Sequence, residues 1–278
     1  MTTKAQPLTY QQILTHTDLE LQRLTEQARF FGDLTAHLFQ MAGLAPGMRV
    51  LDIGCGTGDV SFLAAQFVGP TGQVIGVDRS PQAVAVATQR AATAGLANVQ
   101  FITADLAELV LDEPVDALIG RLILMYFADP AVLLRRLCRF LRPDGLVVFH
   151  ELDLTAAKAW PPCELFATSI SRISQTFTRA GADVRTGLKL AQIYTEAGLP
   201  QPEMWQSARL GHGADSPVYS QVTQLTHTLL PLMERVGVAT AVDVQIETLA
   251  DRLRQEAVAN SATLVAPPFT GAWAHFSS

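Results

Sequence analysis

The sequence predicts an α/β fold, a doubly wound and mostly parallel sheet with helices on both faces. Three observations predict it. Strand-length apolar runs alternate with stretches of helical period between residues 49 and 152. Those runs are continuous rather than alternating, as strands covered on both faces are. A glycine-rich turn, VLDIGCGTGDV at 50–60, joins the first strand of the series to its helix. Right-handed crossovers line such turns along the carboxyl edge of the sheet, where ligands bind.

The elements follow in order. Leu14, Leu21, Leu24, Ala28 and Phe31 recur at helical spacing over 11–42, and Thr17 or Asp18 suits the cap of a second helical segment. Gly43, Pro46 and Gly47 break that helix in a turn. VLDI is the first strand, DVSFLAAQFV (59–68) a helix stopped by GPTG, and QVIGVD (73–78) the second strand. Ser80 at the N-cap and Pro81 at the first helical position start the next helix. VQFITAD (99–105) is the third strand, a short acidic helix follows, and PVDALIGR (114–121) is the fourth strand. PAVLLRRLCRFLRPDG (130–145) reads as a helix with a glycine stop, and LVVFHELD (146–153) as the fifth strand.

From 153 the rhythm changes. Helices are expected over 163–181 and 186–198, and a strand over 203–211. The helical pattern of 219–237 meets Pro231, a kink or a break. Another helix covers 242–259, and the apolar, aromatic stretch 262–276 is a strand pair or one strand bent by Pro267 and Pro268.

Composition narrows the function. With 278 residues, 49% of them apolar, the chain can bury a large core and is not disordered. A net charge of −6 with no dense Lys/Arg block argues against nucleic acid or an anionic membrane as partner. Cys55, Cys138 and Cys163 are too scattered for a metal site or a disulfide framework, which points to a reducing, cytoplasmic setting. The polar start MTTKAQPLTYQQ lacks a secretory apolar core, and no apolar run nears the ~18 residues of a membrane span. His37, His212, His227 and His275 are isolated, so no metal is expected.

The chemistry concentrates at strand tips. Gly54, Gly56 and Gly58 are spaced G-x-G-x-G, and Asp59 stands where a dinucleotide fingerprint has its third glycine. A carboxylate there suits the helix N-terminus but repels a diphosphate. Asp78 ends the second strand, where it can accept both hydroxyls of a ribose and disfavours a 2′-phosphate. Asp105 ends the third strand and can accept the exocyclic amine of adenine, with the Leu106 N–H at a ring nitrogen. Plain helix capping is the structural alternative for both acids. Asp52 ends the first strand, where a charge needs a cationic ligand or backbone N–H groups. A ligand with adenine, a ribose diol and positive charge but no phosphate answers all of this: S-adenosylmethionine fits, and NAD fits less well.

VLDIGCGTGDVS, GQVIGVD, VQFITAD and DALIGRLILMYFADP…LLRRLCRFLRPDGLVVFHE closely resemble the class I S-adenosylmethionine-dependent methyltransferases, over 44–152. The nearest likeness is to their small-molecule, ubiquinone/menaquinone-biosynthesis-like branch. The resemblance implies a seven-stranded Rossmann-like sheet in the order 3-2-1-4-5-7-6, with strand 7 antiparallel. It implies one methyltransferase domain over 1–278: a helical N-terminal lid (1–43), a donor-binding core (44–152), helical acceptor-side additions (153–200 and 212–258) and the last strands at 203–211 and 262–276. Asp52, Gly54, Cys55, Gly56 and Gly58 would flank the methionine part of the donor. Asp78, with Arg79 beside it, would hold the ribose, and Asp105 with Leu106 the adenine. Gly120 and Arg121 would lie near the sulfur. Ubiquinone-type relatives often carry Asn and His-His after strand four; GRLILMYF here argues against a quinone precursor as acceptor.

The expected activity is methyl transfer to O, N or C of a small, largely apolar metabolite, releasing S-adenosylhomocysteine, by a monomer or homodimer. In-line attack on a sulfonium needs orientation and desolvation, and a base only where the acceptor must lose a proton. His150 is the candidate base or a structural histidine; Glu151 takes the opposite strand face. Arg121 suits an acceptor carboxylate or an ion pair with Asp52 or Glu151. Met125 and Tyr126 belong to the acceptor wall or the core, and Tyr10, Gln27, Phe30 and Phe31 to the lid. Trp160, Phe166, Phe177, Met233 and Trp273 would make the acceptor side apolar or simply fill a core. Cys55 has no histidine near it in sequence and is no nucleophile. The alternatives are cyclase-like chemistry on the same scaffold, an NAD-dependent oxidoreductase, and a non-enzymatic interaction module.

Overall fold

Seven strands make the main sheet: β1 (Arg49–Ile53), β2 (Gln73–Asp78), β3 (Val99–Thr103), β4 (Val115–Arg121), β5 (Leu141–Leu152), β7 (Glu203–Ser207) and β10 (Phe269–His275). They stand in the order β3-β2-β1-β4-β5-β10-β7, the expected 3-2-1-4-5-7-6. The computed structural model describes residues 18–276, and of 18–26 and 29 only the backbone. Tyr10 and the 11–17 part of the first expected helix lie outside the described residues.

Pairing is parallel from β3 through β5. β10 runs the other way. The Asp144 N–H donates to Phe276 O at 3.0 Å, whereas the Asp153 N–H donates to Pro268 O at 3.0 Å, so partner numbers fall as β5 advances. Tyr194, fully buried, pins the same region by donating to Ala272 O at 2.9 Å.

The described residues form two compact units. The α/β unit holds 31–151, 187–206 and 270–276. Its strands sort their side chains by period two. Val50, Val74, Ala117, Ile119 and Val148 pack with Leu38 and Phe39 of α1 (Asp18–Ala42) and with Val60 and Ala64 of α2 (Asp59–Val68). Leu51, Ile53, Leu118, Val147 and Phe149 pack with Leu134 and Leu137 of α4 (Pro130–Leu137) and with Leu190 and Ile193 of α6 (Thr186–Ala197). α3 (Pro81–Thr93) lies on β2 and β3. Its Ser80 cap is as expected: the hydroxyl accepts from the Ala83 N–H at 3.3 Å.

Two elements of this unit differ from expectation. The short acidic helix after β3 is only a turn, closed by the Glu108 N–H on Asp105 O at 2.9 Å. The helix expected over 130–145 ends at Leu137, a 3-10 turn spans Cys138–Phe140, and β5 has begun by Leu141. Pro143 explains the early stop, since it lacks an N–H and turns Arg142 away from helical angles.

The second unit holds 18–30, 152–186 and 207–269. β6 (Lys158–Trp160), β9 (Thr263–Val265) and β8 (Leu210–Gly211) form a small antiparallel sheet in that order. α5 (Glu164–Arg179), α7 (Pro217–Arg235) and α9 (Ile246–Ala259) pack on one another. The stretches 203–211 and 262–276 are therefore each divided between the two sheets, the latter at Pro267 and Pro268. α7 continues through Pro231 without breaking. The expected helix over 242–259 is divided instead: α8 (Ala241–Val244) ends at Gln245, which adopts a φ of 51°. Phe166, Phe177 and Met233 are core here and Trp273 is core in the α/β unit, but Trp160 is 78% exposed. Among the described residues no helix is long and apolar enough to cross a membrane.

Candidate functional site

The chain from β1 to α2 turns on Gly54, Gly56 and Gly58, with φ of 66°, 53° and 89°. These are left-handed angles that side chains other than glycine rarely accept. Protein atoms also forbid larger residues. A Cβ on Gly54 would stand 2.5 Å from Ile123 Cδ1, and one on Gly58 would stand 2.7 Å from Phe101 Cζ. Gly58 is the N-cap of α2 and offers no side-chain cap, so the first N–H groups of α2 have none from that residue.

Asp78 locks this turn to the tip of β2. Its buried carboxylate accepts the Gly56 N–H at 3.0 Å on one oxygen and the Ser80 N–H at 2.8 Å on the other. Arg79 follows, with an enclosed Nη2 that has no hydrogen-bond partner among the described residues. Thr103 pairs with Asp78 across β2 and β3, and Asp105 is exposed just beyond it, accepting the Ala107 N–H at 2.7 Å. Leu106 beside it is buried.

Asp52 is buried one residue before the end of β1. Burial pushes its carboxyl up to about 7, against the lowering pull of the Ser61 hydroxyl and of Arg121. The Ser61 hydroxyl donates to it at 2.6 Å. Cys55 is buried too, and burial raises its thiol well above the ordinary value, away from the reactive thiolate.

At the tips of β4 and β5 the structure brings Arg121 and His150 into register as strand neighbours. Thr35 of α1 joins them: the Arg121 Nη1 donates to its hydroxyl at 3.1 Å, and His150 Nδ1 lies 3.3 Å from that oxygen. The Thr35 hydroxyl donates to Phe31 O, at 3.1 Å. Burial, then Arg121, holds the His150 pKa well below 6.5, so the ring is neutral at pH 7. Burial lowers the Arg121 pKa while Asp59 and Asp52 raise it; no ion pair joins Arg121 to either among the described residues. Glu151 takes the other strand face, where it accepts the Ile123 and Leu124 N–H groups at 2.9 and 2.8 Å.

Sequence reasoning missed Arg90, Thr35 and Ser61. Arg90 of α3 reaches the turn: its guanidinium meets Asp59 at 2.6 Å and donates to Thr57 O at 2.7 Å, and the Thr57 hydroxyl donates to Asp59 at 2.9 Å. Asp59, expected at the helix N-terminus as a charge that repels a diphosphate, is thus paired with Arg90. Arg90 also stacks 5.1 Å over the Phe62 ring. Along α3 it looks like any charge on a solvated helix face, and only its spacing to the turn in space gives it this role. Among the described residues no group of three or more His, Cys, Asp or Glu is placed to hold a metal.

A turn of bare backbone with buried and strand-tip carboxylates suits a cationic ligand with a diol. An arsenite methyltransferase of Halobacterium salinarum is 38% identical over 164 residues, 59% of this chain and 40% of that protein. A demethylmenaquinone methyltransferase of Staphylococcus aureus is 36% identical over 110 residues, 39% of this chain and 45% of that protein. The chain thus spans less than half the length of these curated relatives. The crystal structure of the [4+2]-cyclase SpnF superposes with a TM-score of 0.58 at 20% identity, covering 98% of this chain and 97% of that one, a likeness of fold. Residues 44–198, more than half of the chain, match the family described as a methyltransferase domain. The chain belongs to the class I S-adenosylmethionine-dependent methyltransferases.

Proposed function

We propose that the protein transfers a methyl group from S-adenosylmethionine to O, N or C of a small, largely apolar metabolite. The observation that carries this reading is Asp78, which grips the glycine turn by the Gly56 N–H and still has a lone pair on each oxygen for a ribose hydroxyl. The residues present fit the donor. Asp78 takes the ribose with Arg79 alongside, and Asp105 and Leu106 take the adenine. Asp52, Gly54, Cys55, Gly56 and Gly58 flank the amino-acid end, and Gly120 and Arg121 flank the sulfur. When bound, the donor supplies a methyl group activated by a sulfonium.

His150 is the candidate proton acceptor near that end. Its neutral ring can take a proton, but burial and the Arg121 cation make it a weak base. Catalysis then rests on orienting the acceptor and excluding water, with His150 serving acceptors that ionise readily. His150→Ala is expected to lower turnover of such acceptors while leaving donor affinity unchanged.

Asp52 makes donor binding depend on pH. An ionised Asp52 attracts the cationic donor, and its carboxyl titrates at about 7. Below that pH the donor must displace a proton, so affinity falls by up to about tenfold per pH unit; above it, affinity levels off. Asp52→Asn should weaken binding and flatten the profile. A pH-independent affinity in the unaltered protein would remove Asp52 from the donor site. Arg90→Met, which keeps the stem over Phe62 but loses the clamp on Thr57 and Asp59, is expected to weaken S-adenosylhomocysteine by about fivefold. Calorimetry reads both changes.

The quinone-biosynthesis branch is not favoured among acceptors, because the arsenite enzyme matches at similar identity and over a longer stretch than the demethylmenaquinone enzyme. Three free, buried cysteines support action in a reducing compartment such as the cytoplasm. A second reading, chemistry other than methyl transfer on this scaffold, is favoured by the full-length likeness to a cyclase. Incubation with S-adenosylmethionine and a panel of phenolic, amine and enol acceptors, read by mass spectrometry, separates the two. Methylated product with released S-adenosylhomocysteine supports transfer. Donor binding with no methylated product from any acceptor supports the second reading. NAD bound in preference to S-adenosylhomocysteine would overturn both.

A further inference from the structure

The tips of β1, β4 and β5 meet at one residue, Ile123. A Cβ on Gly54 would lie 2.5 Å from Ile123 Cδ1, and a Cβ on Gly120 would lie 2.6 Å from Phe149 Cε1 and 3.0 Å from Ile123 Cγ2. Ile123 thus fills the space beside Gly54 and shares the space beside Gly120 with Phe149. Its own backbone is irregular. Leu122 before it has a φ of 54°, a costly angle for a residue with a side chain, and a 3-10 turn begins at Leu124. Something must hold this conformation, and Glu151 at the end of β5 does. One oxygen, Oε1, accepts both the Ile123 and the Leu124 N–H groups, at 2.9 and 2.8 Å. The other, Oε2, is buried with no hydrogen-bond partner among the described residues. A fully buried acid with a bare oxygen is expensive unless its bonded oxygen is needed.

We propose that Glu151 is a positioning residue for the donor site: it fixes the turn after β4 so that Ile123 wedges against Gly54 and, with Phe149, against Gly120, and sets the shape of the glycine turn. This rests on the reading of that turn as the donor site. Glu151 touches neither donor nor acceptor in this account. Burial pushes its carboxyl up to about 7 against the pull of the Leu124, Ile123 and Met125 N–H groups, which marks the acid as held in place at a cost.

The test uses the full chain, calorimetric titration with S-adenosylhomocysteine, and thermal melting. Glu151→Leu fills the same space without an acceptor, and is expected to fold yet bind at least about tenfold more weakly. Glu151→Gln keeps an acceptor oxygen and should stay within about threefold of the unaltered protein. Ile123→Ala should weaken binding as Glu151→Leu does, and the double variant should be little weaker than the worse single one, because both act through one wedge. Unchanged affinity in a folded Glu151→Leu protein, or additive losses in the double variant, would overturn the proposal. Should Glu151→Leu fail to fold, Gln rescue and Ile123→Ala carry the same decision: unchanged affinity in Ile123→Ala overturns it. If the unaltered protein binds no S-adenosylhomocysteine, the donor reading falls and this proposal with it; if it binds and the variants bind equally, only this proposal falls.

Discussion

Asp78→Ala is expected to reduce S-adenosylhomocysteine binding by more than about a hundredfold while the chain stays folded. Two losses combine. The ribose diol loses its acceptor, and the Gly56 and Ser80 N–H groups, now bonded at 3.0 and 2.8 Å, lose theirs. Each charge-assisted bond is worth roughly 1.5–3 kcal/mol, so even partial replacement by water leaves a deficit of several kcal/mol. The glycine turn would also lose its tie to β2, which adds disorder where the ligand must sit. Asp78→Asn keeps an acceptor for one of the two N–H groups and should fall between. Circular dichroism checks the fold and calorimetry the affinity. An Asp78→Ala protein that binds within about threefold of the original would end the assignment of this acid.

Gly54→Ala is expected to lower both stability and donor affinity. At a φ of 66° an alanine costs about 1–2 kcal/mol. Its Cβ would also press to 2.5 Å from Ile123 Cδ1, an overpacking that costs roughly 1–3 kcal/mol more. Together these lower the melting temperature by roughly 5–15 °C. In an Ile123→Ala background the steric part is gone and only the backbone part remains, so Gly54→Ala should lower the melting temperature less there than in the original protein. A Gly54→Ala protein that melts within about 2 °C of the original would show that Ile123 yields easily, and would weaken the account of the turn.

Much of the donor half was legible because its signals are local. The helix over 59–68, the strand over 73–78 and the Ser80-Pro81 start each depend on neighbours in sequence, and the structure has them. So does the glycine spacing, whose left-handed angles are a backbone property. What was hidden is non-local. Thr35 reaches His150 across 115 residues, and nothing about a threonine in the first helix marks it for that contact. The destination of the late strands was hidden for another reason. An apolar alternation names a strand but not its sheet, so 203–211 reads as one strand, and 262–276 as a strand pair or one bent strand, with nothing to say that each serves two sheets. The overlong helix expected over 130–145 has a simpler cause: the weight of Pro143 was given to the glycine two residues later.

The central claim is that acids at successive strand tips, with the glycine turn between them, hold a phosphate-free adenosine carrying positive charge. Parallel calorimetric titrations of the unaltered and Asp78→Ala proteins with S-adenosylhomocysteine test it most directly. The account predicts one saturable site in the first and none measurable in the second. No binding to the unaltered protein, or equal binding to both, would contradict it.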